Sequence, residues 1–541
     1  MHLETADTGF YLRKALPALV LTALVFLLPV GAVFLRAFSD GQELVGTFTD
    51  SYTWRLLGFT LLESSISALV SVLLALPFAL FFSRYDFFGR RALLTISDAA
   101  FALPAVLAVL GFVIWYGNNG LLNNALETLT AGRIQLKVLY SFKAIILAHV
   151  YLNFPVAFSL ITGALLSMSD QEELASRLLG ASEMRTFLRV TLPKIRGTLA
   201  SAFTLIFLFC FPSFLIVMSL GGNPRFYTLE AEIYKRTYTD ANPASASALA
   251  IFSFLIMTVL LIVTGYGRQG TRVSRRKKHL KKPEGRSRAL AVVLSLLIVL
   301  FIAPPMIAIL YRAFFTRDGA FTLKAWTDMA RRSTGAGTGL MAVANSLVIA
   351  LLSSLAAMVL ASSIAMGAAR RKTGFLALLT SLPMAVGSVS MGLGFSFAAL
   401  YVPFRNTFFS YVMVFLAHLV VVLPFAVRTI LPGARRIPLQ LSLCAMTMGK
   451  STSEAYRKIE YPLLCSYRRR AFAFSFALSL GEVNATLALG EGRINTIPVL
   501  IYKMINQYNY QSASALSVIL LSIALAVFAL GESKGGANGV S

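Results

Sequence analysis

The sequence predicts an all-α polytopic membrane protein of about twelve transmembrane helices, arranged as two parallel six-helix repeats. Three observations predict it: an apolar composition, twelve apolar runs of spanning length, and landmarks that recur at a fixed offset. Of 541 residues, 57% are hydrophobic and 13% charged, with mean hydropathy +0.72. A water-soluble domain of this size needs more charge to cover its surface, whereas lipid accepts an apolar exterior.

The apolar runs cover 15–38, 57–83, 93–116, 142–167, 199–219, 245–266, 289–312, 341–367, 375–401, 408–430, 470–490 and 512–531. Crossing a bilayer takes roughly 20 apolar residues, and tilt accommodates the longer runs. No small-residue cleavage site follows the first run, so it reads as a retained helix rather than a signal peptide. Arg and Lys gather before span one and after spans two, four, six, eight and ten. Alternating spans put all these loops on one side, and positive charge marks that side, with both termini, as cytoplasmic. The protein is therefore expected in the cell inner membrane.

Composition also excludes function classes. The net charge of +25 comes from basic loops between apolar runs, without the interleaved aromatics that stack bases. Nucleic acid is therefore not an expected partner, and the run Arg268–Arg288 reads as a solvated tether near anionic lipid. Cys210, Cys444 and Cys465 show neither a disulfide framework nor metal-ligand spacing. No metal site, resident cofactor or catalytic-triad motif is expected.

The chain repeats itself. Leu147-Ala148-His149 recurs as Leu416-Ala417-His418, an offset of 269, and Pro155, Gly180 and Pro193 recur as Pro424, Gly449 and Pro462 at the same offset. Leu220-Gly221 recurs as Leu489-Gly490, and the offset is 283 for Gly111-Phe112 against Gly394-Phe395. Six spans separate equivalent positions, so the halves share one orientation, with a pathway expected between them. The expected domains are 1–266, a basic linker 267–288, 289–531, and a tail 532–541.

Between spans four and five the segment 167–193 reads as a helix-turn-helix. Ser169 with Glu172 fits a capping box, Asp170 is an alternative cap, and Leu174 and Leu178 share a face. Gly180 suits the left-handed turn, Ser182 restarts a helix, and Pro193 is expected to stop it. The second copy, 438–462, has Pro438 in a first-turn position, Gly449 at the turn, Ser451 or Ser453 at the restart and Pro462 at the end. Two exposed helices bearing Leu and Met on one face imply two similar docking partners.

This segment resembles the loop motif of binding-protein-dependent ABC importer permeases: EAA, three residues, Gly, then Leu-Pro with the proline thirteen residues past the glycine. Glu173, Ala175, Gly180, Leu192 and Pro193 match it, with the acid one place early. In the second half Gly449 and Pro462 match, while Ser442 and Leu443 occupy the acidic region and Tyr461 replaces the leucine. The resemblance implies an ABC importer type I-like transmembrane domain. It implies two copies of a separate cytoplasmic ATPase using ATP and Mg, each receiving one loop. It further implies a periplasmic or lipid-anchored substrate-binding protein. Gly449-Lys450-Ser451 is not a phosphate-binding loop, because that motif needs glycine where Cys444 stands. No ATPase lies in this chain, and it is expected to be a transport subunit rather than an enzyme.

The stretch 209–250 is similar to that of thiamine permeases at Phe211, Ser213-Phe214, Ser219-Leu220-Gly221-Gly222, Pro224, Thr228, Glu230, Ile233-Tyr234 and Pro243-Ala244. Ferric-iron permeases share much of this pattern and are the alternative. Within the spans, Glu482 is the ionisable residue that stands out, and its repeat counterpart is Ser213. Both are candidate pathway residues, with Glu482 favouring a cationic cargo. The competing reading of Glu482 is a packing hydrogen bond to a neighbouring Ser or Thr. Glu63 is placed near the external end of span two within reach of water, Asp98 near the start of span three, and His149 and His418 read as packing histidines. Gly111, Gly394, Pro104 and Pro383 mark either helix breaks around a cavity or close packing. An ion-coupled secondary transporter of twelve spans is the rival of another class, but it calls for several coupling carboxylates in the spans and has no use for paired loop motifs. A membrane scaffold is a third reading.

Overall fold

The computed structural model describes residues 2–101, 103–264, 280–331, 338–370, 380–403, 406–489 and 494–533. Much of the expected basic linker, Arg371-Lys372 after span eight, the start of span nine, Gly490 and most of the C-terminal tail lie outside these residues. Helices dominate, and the extended pairing among the described residues is two isolated bridges, Tyr85 with Lys281 and Phe315 with Phe321.

In the first repeat the helices are α1 (His2–Phe38), α2 (Gly41–Thr49), α3 (Ser51–Phe82), α4 (Arg90–Phe101), α5 (Ala105–Tyr116), α6 (Leu121–Thr130) and α7 (Phe142–Leu166). They continue as α8 (Gln171–Leu178), α9 (Glu183–Thr186), α10 (Leu192–Cys210), α11 (Leu229–Tyr238) and α12 (Pro243–Val263). The second repeat holds α13 (Arg286–Phe314), α14 (Lys324–Arg331), α15 (Gly339–Arg370), α16 (Ser388–Leu400), α17 (Thr407–Arg436) and α18 (Leu439–Thr447). It closes with α19 (Thr452–Ala455), α20 (Cys465–Leu480), α21 (Asn484–Leu489), α22 (Ile497–Asn506) and α23 (Tyr510–Ser533).

Among the described residues ten helices are long and apolar enough to cross a membrane, and they fall on ten of the twelve expected spans. The other two are broken. Span nine contains the 13-residue α16, entered through a 3-10 turn at Leu382–Ala385, and span eleven is α20 followed after Gly481 by the short α21. Span three is also interrupted, α4 ending before Pro104 and α5 starting after it. Proline lacks the N–H a continuing helix requires and pushes the residue before it out of helical geometry.

The chain forms two compact units. One draws on the described residues within Met1–Thr53, Leu229–Arg268 and Arg312–Ser541, the other on those within Trp54–Thr228 and Gln269–Tyr311. Each unit thus combines helices from both repeats. In the first unit α1 packs on α15 and α16; its core includes Tyr11 and Ala18 together with Ala357, Ala361 and Ala365 of α15 and Val422, Ala426 and Ile430 of α17. Alanine every fourth residue removes the bulk between helices and lets their backbones approach, which is how helices associate where lipid supplies no hydrophobic drive. In the second unit α7 packs against α4, α5 and α10, and Tyr151 Oη donates to the Ile302 carbonyl of α13 at 2.9 Å.

Gly111 and Gly394 are close-packing residues. A Cβ on Gly111 would stand 2.8 Å from both the Cβ and the carbonyl oxygen of Pro305, and one on Gly394 would meet the backbone and ring of Pro29. The glycine of each repeat's third span therefore receives a proline from the other repeat's first span. The helix breaks belong instead to Pro104 and Pro383.

Candidate functional site

Each repeat presents one helix-turn-helix between its fourth and fifth spans, and the two are built alike. In the first, α8 ends at Gly180 (φ +84°), where the Gly180 N–H donates to the Arg177 carbonyl at 2.9 Å and the Ala181 N–H to the Ser176 carbonyl at 3.1 Å. In the second, Gly449 (φ +83°) donates to Met446 at 3.0 Å and Lys450 to Ala445 at 3.0 Å. These bond pairs satisfy the last helical carbonyls, and a left-handed residue between them strains any side chain, so both turns call for glycine.

The restart is capped as expected. Ser182 Oγ accepts the Arg185 N–H at 3.3 Å, and Ser451 Oγ accepts the Glu454 N–H at 3.2 Å while Glu454 returns a bond to the Ser451 N–H. That backbone N–H, then Lys450, then Lys458, hold the Glu454 carboxyl below the ordinary carboxylate range. Two expectations are corrected. Ser169 forms no capping box with Glu172; its Oγ accepts the Gln171 N–H at 3.3 Å, and Asp170 takes the N-cap position. Pro193 and Pro462 do not stop the second helix. It widens into a π-turn, Phe187–Thr191 and Tyr456–Glu460, and the proline then sits in the first turn of the following segment. A first-turn proline forfeits only an N–H that would have no intrahelical partner.

Glu173 lies on α8 and is 8% exposed, with its carboxylate facing inward. Thr191 Oγ1 donates to Glu173 Oε1 at 2.7 Å, and Arg84 Nη2, just past α3, is 3.9 Å from the other oxygen. In the second loop Ser442 Oγ donates to Glu460 Oε1 at 2.6 Å, and Arg370, the last residue of α15, pairs with the same oxygen. Sequence reasoning missed Thr191, Glu460, Arg84 and Arg370, and saw Ser442 only as standing in the acid's place. The signal was available: Ser442 stands 269 residues after Glu173, and Glu460 stands 269 after Thr191. Ala175 is exposed and Leu192 half-buried. The outer faces are apolar and open to solvent: Leu174 is 58% exposed, Leu178 80%, Met184 66% and Met448 82%.

The second loop is also tied to the N-terminal helix. Lys14 Nζ sits over the Tyr456 ring, 3.7 Å from its centroid, and Phe10 and Tyr11 meet the same ring edge-on at 6.2 Å. Such a cation over an aromatic face is worth about 0.5–2 kcal/mol.

Deeper in the helices, each repeat's histidine clasps the break in its fifth span. His149 Nε2 is 2.8 Å from Ser213 Oγ, and its Nδ1 pairs with Glu63. Ser67 adds a bond to Glu63 Oε1 at 2.9 Å. His418 reaches Ser479 Oγ at 2.8 Å and Thr486 Oγ1 at 2.7 Å with no acid among these contacts. Glu63 is fully buried and paired, which corrects its expected place near water; a carboxylate without a partner there would be too costly. His149 accordingly has an acidic neighbour that its sequence context did not reveal. Ligand atoms of Glu63, His149 and Cys210 lie within 4.8 Å of one another. Both Glu63 oxygens and both His149 nitrogens already engage protein partners, so these residues form a hydrogen-bonded polar core rather than an open ligand set.

Ser213 and Glu482 occupy equivalent positions. Ser213 follows the end of α10, with its carbonyl bonded by Thr228 Oγ1 at 2.7 Å, and Glu482 lies between α20 and α21. Glu482 Oε1 accepts the Ala485 N–H at 3.0 Å, so its partner is backbone and not the neighbouring Ser or Thr. The side chain of Asp98 falls outside the described residues.

Paired Gly-turn loops on a polytopic helical chain are the feature that the resemblance turned on. Residues 69–273 match the family of binding-protein-dependent transport system inner membrane components. Similarity to permeases of that kind extends well past the matched segment. The thiamine transport system permease protein ThiP of Brucella abortus (strain 2308) is 28% identical over 516 residues, 93% of this chain and 91% of the relative. The protein of the same name in Escherichia coli (strain K12) is 26% identical over 548 residues, 97% of each chain. The sulfate transport system permease protein CysW of Escherichia coli (strain K12) is 28% identical over 251 residues, 46% of this chain and 82% of the relative. The permease resemblance read from the loop motifs is thus met along nearly the whole chain.

Proposed function

We propose that this chain is the membrane-spanning permease of an ATP-driven, binding-protein-dependent importer, and that it passes thiamine or its phosphates inward by alternating access. The observation that carries the mechanism is the pair of repeat-related loops with solvent-exposed Leu and Met faces. A polar, charged loop would not present such faces without a partner. Each loop docks on one copy of a cytoplasmic ABC ATPase: the first is the coupling loop built on Glu173, Ala175, Gly180, Leu192 and Pro193, the second the one built on Gly449 and Pro462. Closure of the ATPase pair on ATP and Mg then biases a two-state arrangement of the spans. A periplasmic or lipid-anchored binding protein delivers the cargo. The basic loops and both termini face the cytoplasm, and the protein resides in the inner membrane.

The cargo follows from the relatives, which over nearly their whole length carry thiamine in their names. Ferric iron is not favoured by these matches. Glu482 and Ser213, at the breaks of the two fifth spans, are the proposed pathway residues. A carboxylate at one break and a hydroxyl at the other suits a cationic cargo.

The test is uptake of labelled thiamine by source cells with and without the gene, at limiting supply. Uptake that is lost on deletion and returns with the gene supports the reading. Unchanged uptake sinks the thiamine assignment and leaves the importer architecture to be tested with other solutes.

A further inference from the structure

The two loops contain one fastening, written with its acid transposed. In the first, the acid is on the leading helix and the hydroxyl on the π-turn: Glu173 accepts from Thr191 at 2.7 Å. In the second, the hydroxyl is on the leading helix and the acid on the π-turn: Glu460 accepts from Ser442 at 2.6 Å. The positions correspond exchange for exchange at the 269 offset. An arginine at the end of the repeat's second span meets the acid in each case, Arg84 for Glu173 and Arg370 for Glu460.

We propose that Glu460 is the positioning residue of the second loop and does there what Glu173 does in the first. The second loop is then a working coupling element, although it lacks the acid where the loop motif places it. This rests on the functional reading above. The two positions face each other across the turn, so one acid and one hydroxyl close the loop whichever helix bears which. Thr191, Ser442 and Glu460 are fully buried and Glu173 nearly so. Burial makes an unpartnered carboxylate costly, so acid, hydroxyl and guanidinium stand or fall as a set. The guanidinium ties that set to the end of span two of the repeat, and a push on the loop is handed to a membrane helix through an ion pair. In the second loop Lys14 over Tyr456, four residues before Glu460, extends the tie to α1.

The experiment compares four chains, each purified through a tag from source-cell membranes as the complex with its ATPase: wild type, Ser442→Glu, Glu460→Thr, and the double substitution. ATP hydrolysis per membrane-inserted chain is read, a quantity that does not depend on the cargo. Ser442→Glu sets two carboxylates against each other, and Glu460→Thr leaves Arg370 without its acid. Each is expected to lower hydrolysis at least about fivefold. The double substitution restores the first loop's arrangement and is expected to return to within about twofold of wild type. Single variants equal to wild type overturn the proposal, as does a double variant no better than the worse single. A wild-type complex without ATP hydrolysis overturns both this proposal and the importer reading, whereas hydrolysis without thiamine uptake overturns the cargo alone.

Discussion

Glu230, near the start of α11, caps the first turn of α16 in the other repeat: its carboxylate accepts the Ser390 hydroxyl at 2.6 Å and the Ser390 N–H at 3.2 Å. The side chain is 1% exposed. A helix that starts at a buried position leaves N–H groups that water cannot reach, and an acceptor there is both a bond and a favourable charge for the helix dipole.

Replacing Glu230 with alanine orphans those donors, each costing about 1–3 kcal/mol. Thermal unfolding of the purified chain in detergent is expected to show a clearly lowered midpoint for Glu230→Ala and a smaller drop for Glu230→Gln, which keeps an acceptor. Equal midpoints for Glu230→Ala and wild type would remove the cap from the account.

Gly387 precedes α16, and a Cβ there would run into the Glu230 carboxylate. Gly387→Ala is expected to destabilise the chain by about 1–3 kcal/mol, the usual range for overpacking. In the Glu230→Ala background the obstacle is gone, so the same glycine substitution should cost little. Additive losses in the double variant would contradict a direct contact.

His149 and His418 are related by the repeat, yet only His149 is paired with an acid. Removing one partner of a buried charged pair costs about 3–5 kcal/mol. His149→Ala should therefore lower detergent stability more than His418→Ala, which strands only hydroxyls. Glu63→Gln should recover part of the His149→Ala loss. The reverse ranking of the two histidines would show that Glu63 is not charged against His149.

Glu482→Gln keeps an acceptor for the Ala485 N–H while removing the charge. If Glu482 faces a cationic cargo, the KM for labelled thiamine should rise several-fold with expression and stability unchanged. An unaltered KM would confine Glu482 to capping α21.

Much of the fold could be read from residue order. The apolar runs found ten long helices, and the 269 offset brought together two loops with the same glycine turn and serine restart. Those features are local, since span length, glycine at positive φ and a serine cap depend on residues within a few positions of one another. Local patterning did not disclose the π-turn before Pro193 and Pro462. Nothing in the residues of the two widened turns, Phe187–Thr191 and Tyr456–Glu460, marks where a turn widens, and a proline reads equally as a stop or as a first-turn residue.

The partners of buried polar groups lay further out of reach. Glu63 and His149 are 86 positions apart, Glu230 and Ser390 160, and Arg370 and Glu460 90. Their pairing depends on which helix faces meet. The same holds for Gly111 against Pro305 and Gly394 against Pro29, where each repeat's third span closes on the other repeat's first.

By itself the sequence determined the membrane class, the doubled six-span plan, the two Gly-turn loops and the resemblance to importer permeases, because hydropathy, repeat offset and turn chemistry are properties of the chain read in order. Tertiary structure alone decided that compact units draw helices from both repeats, that Glu63 is buried against His149, and that Ser442 of the second loop is met by Glu460. Those outcomes are fixed by the requirement that every charge taken out of water meet a partner, and the partner is chosen in space rather than along the chain.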